Sequence, residues 1–380
     1  MFYGCNVSCN QLLTSSNGNW SALIQRFSPY SYSIIYKRKE EGRFLPDFRS
    51  RLEVGVSSPK MMKKGIISLG EALIDFIPLD ATNRVYQKSP GGAPANVAVG
   101  VARLGIPSTF VGKVGRDVLG VFLKETLDEY GVNTTSLQFS DDVRTGVVFV
   151  TLAENGERSF DFYINPSADR FLSEKEVDES LFLTHRIFHF GSISLISEPA
   201  RSATKRAVML AKENGMIVSY DPNLRLGLWE NEQQAREMII SMLTEADVLK
   251  ISEEELTFIT GEEDIQKGVD ALASYNIPLI VVTLGENGSY AFTREGSVFT
   301  PALKVEAVDT TGAGDAFVSG MLYCLHEQEG AIDDLSLAEV EQMARFASVS
   351  GALAASTKGA MTALPTRDEV ERILREGWSR

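Results

Sequence analysis

The sequence predicts an α/β fold of three layers, a mostly parallel sheet between helices, with a small second β-sheet projecting from it. Two patterns carry this reading. Short β-rich runs alternate with amphipathic helical stretches along most of the chain, which is the rhythm of right-handed βαβ units. One stretch, 137–164, drops the helical period and reads as paired strands around a tight turn. Composition removes the competitors. Of 380 residues 44% are hydrophobic and 23% charged, and the 31 glycines are scattered rather than periodic, so collagen-like, disordered and coiled-coil chains are excluded.

Taken in order, 65–69 reads as a strand, 95–104 as a helix, 108–111 as a strand and 118–130 as a helix. Within the interruption, 147–152 and 159–164 flank the turn-like Glu154-Asn155-Gly156 as an antiparallel hairpin. Together with 74–90 this region, 137–165, supplies the strands of the small sheet. Standing at the edge of an α/β core, such a sheet is a candidate lid over a substrate cleft; a plain surface hairpin is the competing reading. The rhythm then resumes with strands at 187–190, 217–220, 248–251 and 279–282, and helices over 199–214 and 232–243 between them.

Residues 1–60 differ in character. They hold two of the three cysteines, eight Lys/Arg against four Asp/Glu, and no regular apolar period. The first 25 are uncharged but too polar for a membrane span, and no basic segment precedes an apolar one as in a secretory signal. Either they form an organellar leader, or Met61 or Met62 is the physiological start; in both cases poor order is expected. Residues 61–380 are expected to form the functional domain.

The formal charge of −14 argues against a basic nucleic-acid surface. Any anionic ligand must therefore be held locally. Cys5, Cys9 and Cys324 make no disulfide framework, and His185, His189 and His326 lack zinc-site spacing, as suits a reducing compartment such as the cytoplasm.

The chemistry concentrates in Asp309-Thr310-Thr311-Gly312-Ala313-Gly314-Asp315-Ala316-Phe317, which follows a β-rich run, 302–308, and opens a helix read as 316–326. Small residues at Gly312, Ala313 and Gly314 let backbone N–H groups gather at the positive end of that helix as an anion hole. Asp315 would repel a bound phosphate unless it has another task, such as accepting the proton of an attacking hydroxyl. Its reference pKa of about 3.9 lies far below that of an alcohol, so proton transfer must accompany attack. Alone, the turn reads equally as an ordinary strand-to-helix connection. Neither a Walker A loop nor a Gly-x-Gly-x-x-Gly dinucleotide turn occurs, which disfavours a nicotinamide-dependent oxidoreductase.

With a second motif the sequence resembles the ribokinase-like (PfkB) carbohydrate kinases, and within them the fructokinases. That motif is Gly91-Gly92-Ala93-Pro94-Ala95-Asn96-Val97-Ala98, continuing through Ala102-Arg103-Leu104-Gly105 to Gly112-Lys113-Val114-Gly115-Arg116-Asp117-Val118-Leu119-Gly120. The resemblance implies Asp315 as catalytic base, with the backbone of Gly312, Ala313 and Gly314 stabilising the transferring phosphoryl group. In Gly70-Glu71-Ala72-Leu73-Ile74-Asp75 it implies that Asp75 holds sugar hydroxyls, with Gly91, Gly92 and Asn96 in the same site. A carboxylate and an amide beside bare backbone suit a neutral polyol; alone, Asp75 would read as a solvated acid.

Further along, Asp221-Pro222-Asn223-Leu224-Arg225 is similar to the segment between sugar and phosphates, placing Asn223 and Arg225 at the substrate, although a surface arginine would look the same. Glu255, in Ser252-Glu253-Glu254-Glu255, is implied as the magnesium partner through water; otherwise this run is a solvated helix start. Ser252 replaces an asparagine there. Thr283, Gly285 and Gly288 resemble a nucleotide-side loop, with 346–355 either beside adenine or as plain helix packing. Asp309 with Gly359-Ala360 resembles loops that hold a monovalent cation, potassium in particular.

A second departure is Ile164, where many fructokinases and ketodeoxygluconate kinases carry arginine. Its absence argues against an anionic sugar substrate. The implied activity is ATP-dependent phosphorylation of D-fructose, with ATP and Mg2+ and no nucleic-acid or membrane partner. Alternatives are a relative acting on ketodeoxygluconate, ribose or a nucleoside, and a catalytically silent binding protein. The resemblance implies a homodimer, since lid strands in this family often mediate dimers, and Val148, Val150, Phe160 and Phe162 alternate on the hairpin. The expected compartment is the cytoplasm, or a plastid or other organelle if 1–60 is a leader.

Overall fold

The computed structural model describes residues 63–153 and 158–376, and before them only the backbone of five strand segments. Those segments, Gln11–Thr14, Trp20–Ser28, Ser31–Glu40, Arg43–Phe44 and Phe48–Ser50, pair antiparallel within a first unit, Met1–Met62. The remaining residues of 1–60, and with them the expectation of poor order, lie outside the described residues.

The second unit, Lys63–Arg380, carries the α/β fold. Its large sheet has nine strands. β1 (Ile66–Leu69) lies between β4 (Ser108–Gly115) and β8 (Ile187–Phe190), and β5 (Leu137–Ser140) extends the sheet beyond β4. Beyond β8 follow β9 (Ile217–Tyr220), β10 (Val248–Ser252) and β11 (Leu279–Thr283), all parallel, then β12 (Ser289–Thr293) and β13 (Gly296–Thr300), which run antiparallel. A second sheet contains β2 (Leu73–Pro78), β3 (Tyr86–Gly91), β6 (Val147–Leu152) and β7 (Arg158–Tyr163) in the order β7-β6-β2-β3.

Strands covered on both faces are nearly continuous apolar runs, and β1 follows that pattern except at Ser68, whose buried hydroxyl donates to the Pro94 carbonyl at 2.7 Å. Ile67 and Leu69 enter the core beneath α4 (Ala200–Glu213) and α5 (Glu232–Ser241), while Ile66 enters the core under α1 (Ala93–Arg103), α8 (Ala313–Glu327) and α9 (Leu337–Ala355). Helix α2 (Val118–Glu129) lies on this second side through Leu123 and Leu127; the short helices α3 (Leu181–Thr184), α6 (Glu253–Thr260) and α7 (Ile265–Ala271) complete the series up to α8. Its start is set by Asp117, whose carboxylate accepts from Leu119 N at 3.1 Å and Gly120 N at 2.9 Å, a cap that contributes about 1 kcal/mol.

Three expectations are corrected. Leu137–Ser140 pairs with β4 at the edge of the large sheet, so the lid strands of 137–165 begin only at Val147; following α2 closely, this segment completes a βαβ unit rather than a hairpin. Residues 302–308 form no strand. Their alternation carries Lys304 and Glu306, Val305 and Val308 remain exposed, and the segment bonds to α9 rather than to a strand, with the Leu303 N–H on Ser348 Oγ at 3.4 Å and the Val308 N–H on the Ala355 carbonyl at 2.8 Å. Helix α8 starts at Ala313, three residues earlier than read, because Gly312 at φ 79° supplies a left-handed N-cap and the small residues after it continue as helix. Val148 and Val150, two of the four apolar hairpin residues, are buried within the chain; Phe160 is 49% exposed.

Candidate active site

In open parallel sheets ligands bind beyond the carboxyl ends of the strands, where the strand order reverses. Here the order reverses around β1 and β8. The segments leaving β1, β9, β10 and β11 are those that carry Glu71, Asp221, Glu255 and Gly285.

Asp75 is half-buried on β2, directly against Gly91 of β3: a Cβ on Gly91 would lie 2.2 Å from Asp75 Oδ2. Gly92 has φ 102°, and a Cβ there would lie 2.4 Å from the Glu71 carbonyl oxygen. The bare backbone of this pair is thus demanded by Asp75 and Glu71 themselves, whatever approaches from outside. Gly92 is also the N-cap of α1, and Glu71 Oε1 accepts the Ala93 N–H at 3.2 Å. One helical turn on, Asn96 is buried and donates through Nδ2 to Asp315 Oδ2 at 2.8 Å; its Oδ1 has no partner among the described residues.

Asp315 is the third residue of α8, where helical N–H groups lack intrahelical acceptors. Burial pushes its carboxyl up to about 6; the Asn96 bond pulls down, Asp221 pushes up, and Lys250 and Arg225 pull down. Asp75 is pushed to about 7 by burial and the nearby Asp315, with Arg225 pulling down. Glu71 reaches about 8, chiefly by burial. Acids raised this way hold or release protons near neutrality, as proton-transfer sites require.

Arg225 is exposed at the rim, and Asn223 adopts φ 45° with its N–H donating to Asp221 Oδ1 at 3.2 Å. Both line a cavity of about 400 Å3 shared with Lys250, Ser252 and Glu255. Ser252 caps α6 (Glu253–Thr260) in a capping box: it receives the Glu255 N–H at 3.2 Å, while Glu255 Oε2 accepts the Ser252 N–H at 2.8 Å. Serine and asparagine cap helices about equally well, which accounts for Ser252 in this place. Glu255 Oε1 also accepts the Leu224 N–H at 2.6 Å. Each oxygen keeps a further lone pair, so the group fits a water-mediated role at a metal better than direct ligation.

A cavity of about 800 Å3 lies beside the first turn of α8. Thr283, Gly285 and Gly288 line one side, Ala313 and Gly314 the end, and Ser348, Gly351 and Ala352 of α9 another wall, the segment expected beside adenine. Gly312 sets the turn rather than the wall. Buried Asp309 ties two loops together, Oδ1 accepting the Thr311 N–H at 3.0 Å and Oδ2 the Gly359 N–H at 3.2 Å.

The expected residues therefore divide into two neighbouring groups, with Asp315 at the junction. Sequence reasoning missed three partners. Glu71 lay inside the motif quoted for Asp75. Asp221, likewise inside a quoted segment, forms an ion pair with Lys250 at 3.1 Å. Lys250 itself stands as a charge within the apolar strand Val248–Ser252, a signal visible in the sequence. Ile164 is buried. Among the described residues no group of three or more His, Cys, Asp or Glu is placed to hold a metal ion, and no helix is long and apolar enough to cross a membrane.

Comparison with known proteins finds relatives of this chain and of its fold. The profile of the pfkB family carbohydrate kinases matches residues 63–367. The chain is 47% identical over 320 residues to a probable chloroplastic fructokinase-6 of Arabidopsis thaliana, covering 81% of this chain and 82% of the relative. Its fold is similar to a double mutant of fructokinase from Vibrio cholerae O395 in a form with fructose, ADP and a potassium ion bound, at TM-score 0.76 and 40% identity, covering 82% and 99% of the two chains. It is also similar to a fructokinase from Xylella fastidiosa with bound ATP, at TM-score 0.78 and 36% identity, covering 83% and 99%.

Proposed function

The chain belongs to the pfkB family of carbohydrate kinases, and from that premise we propose that it phosphorylates D-fructose with ATP, giving D-fructose 6-phosphate and ADP. The relatives named fructokinases support the substrate. The observation that carries the chemistry is the position of Asp315: its carboxylate is bonded to Asn96 on the side of Asp75, while its own helical turn lines the larger cavity through Ala313 and Gly314.

In this reading Asp75 and Asn96 hold hydroxyls of the sugar beside Gly91 and Gly92, and Asn223 and Arg225 close the substrate side. ATP occupies the larger cavity against Thr283, Gly285 and Gly288. The sugar oxygen forms its bond to the γ-phosphorus as the bond to the β–γ bridging oxygen breaks, and that electron pair leaves with ADP. Asp315 takes the hydroxyl proton. Its carboxyl, raised to about 6, remains far below an alcohol, so transfer is concerted with attack, while the amides at Gly312 and Gly314, and that of Ala313 once it leaves the Thr310 carbonyl it meets at 3.2 Å, stabilise the phosphoryl oxygens.

Glu255 would hold magnesium through water, and the ion would offset the charge of the nucleotide's phosphates. Asp309 and the Gly359-Ala360 loop fit a site for potassium, since a buried carboxylate there already joins the two loops. A homodimer through the lid is supported by the exposed Phe160 and half-buried Phe162; light scattering showing only monomer across micromolar concentrations refutes it. The enzyme works in the cytoplasm, or in a plastid with 1–60 as leader, as the chloroplastic relative supports. A fluorescent fusion to residues 1–60 decides between them.

The activity is tested by ADP release with fructose, ribose, ketodeoxygluconate and nucleosides. Fructose is expected to rank first, and Asp315→Ala to lower turnover by roughly 10² to 10⁴. Fructose ranking low overturns the substrate; an unimpaired Asp315→Ala overturns the base.

A further inference from the structure

An ammonium inside a buried parallel strand is costly unless it is paired. Lys250, in the centre of β10, is such a group, with its side chain 13% exposed and Nζ 3.1 Å from Asp221 Oδ2, whose side chain is 6% exposed. Asp221 is supplied by the end of β9 and Glu255 by α6, so one cation faces two acids.

Charge balance alone would be served anywhere along the pair. The geometry adds something else: a Cβ built on Gly314 would lie 3.8 Å from Lys250 Nζ. The ammonium thus reaches the first turn of α8, across from Asp315. A helix N-terminus offers only about half a positive charge, whereas the oxygens of a phosphoryl group in transfer carry more than that. Arg225, the other cation acting on Asp315, is exposed at the rim. Lys250 acts from a buried position, where a charge interaction is screened least.

We propose that Lys250 is a catalytic residue that binds an oxygen of the transferring phosphoryl group, with Asp221 and Glu255 holding its ammonium at the α8 terminus between turnovers. The inference rests on the phosphoryl-transfer reading above. During the step the sugar oxygen bonds to the γ-phosphorus, the bridging oxygen leaves with ADP, the proton goes to Asp315, and Lys250 keeps its own three protons. Its contribution grows as negative charge gathers on the phosphoryl oxygens, so it acts on kcat more than on ground-state binding.

The test compares wild-type full-length protein with Lys250→Met and Lys250→Arg. Turnover is measured together with affinity for ADP alone and for ADP with aluminium fluoride and fructose, a mimic of the transferring state. Lys250→Met is expected to lose roughly 10²- to 10³-fold in kcat and a comparable factor in affinity for the mimic. Its KM for fructose and its affinity for ADP alone are expected to stay within about 3-fold, the signature of an interaction made only in the transition state. Lys250→Arg is expected to recover part of the loss, because it keeps the charge.

A purely structural lysine would lower both affinities together; that outcome, or a kcat within about 3-fold of wild type, overturns the proposal. Should Lys250→Met fail to fold, the double variant Lys250→Met/Asp221→Asn removes both charges, and its two ADP affinities are compared with those of Asp221→Asn alone. Wild-type protein without fructose-dependent ADP release would refute the kinase reading itself, a different result from a wild-type rate matched by Lys250→Met.

Discussion

Replacing Asn96 by alanine tests how the base is tuned. The Asn96 amide, 2.8 Å from Asp315, is the strongest influence holding the carboxyl down against burial. A hydrogen bond to a charged group contributes about 1.5–3 kcal/mol, or about one to two pKa units at roughly 1.4 kcal/mol each. Its loss should move Asp315 from about 6 to about 7–8. A base works when deprotonated, so activity is lost as pH falls through its pKa. Near pH ~7 the deprotonated fraction then drops from about nine-tenths to between about a half and a tenth, and near pH ~9.5 hardly at all. The assay is kcat/KM for fructose at saturating MgATP between about pH 5.5 and about pH 9.5, as the ratio of variant to wild type. A contact of Asn96 with the sugar lowers that ratio equally at every pH. The tuning effect adds a further fall of about 2- to 10-fold between the alkaline plateau and about pH 7. Because Asp75 interacts with Asp315, the limb belongs to the pair; the ratio cancels what the two proteins share. A ratio flat across the range refutes the reasoning.

Glu71→Gln addresses stability through the same physics. The folded protein holds the Glu71 proton up to about 8, while the unfolded chain releases it near its ordinary value of 4.5, so this group's contribution falls as pH rises through that window. The glutamine stays neutral and can still accept the Ala93 N–H, so the variant should exceed wild type by about 2–5 kcal/mol above pH ~8 and match it near pH ~4.5, by urea unfolding. Gly92→Ala meets the Glu71 carbonyl at φ 102° and should cost about 1–3 kcal/mol and weaken fructose binding, whereas Gly105→Ala, at φ 91° with nothing within 4 Å, should lose only the backbone strain of about 1 kcal/mol and keep its KM. Asp309→Asn should remove any activation by potassium over sodium, read from turnover in matched chloride salts; a potassium response equal to wild type refutes Asp309 as part of that site.

Much of this site could be read before folding was considered. The alternation of apolar runs and helical periods sufficed for the parallel sheet, since strands covered on both faces admit few polar residues, and Gly312-Ala313-Gly314-Asp315 announced a helix terminus with an acid in its first turn. Exact boundaries were less legible. Residues 302–308 have strand-like alternation but bond to helix α9, and Leu137–Ser140 joined the larger sheet because the helix before it returns the chain to β4.

What the one-dimensional pattern determined was therefore local: which segments are helix or strand, where the backbone must lack a side chain, and which acid stands at a helix start. Tertiary structure alone decided the electrostatics. Burial and the nearby Asp221 raise the Asp315 carboxyl from its ordinary range to about 6 although Asn96 pulls it down, and pairing across two strands brings the ammonium of Lys250 to the start of α8. Solvation and charge proximity depend on residues more than two hundred positions apart in the chain, as Asn96 and Asp315 are, and no local spacing encodes them.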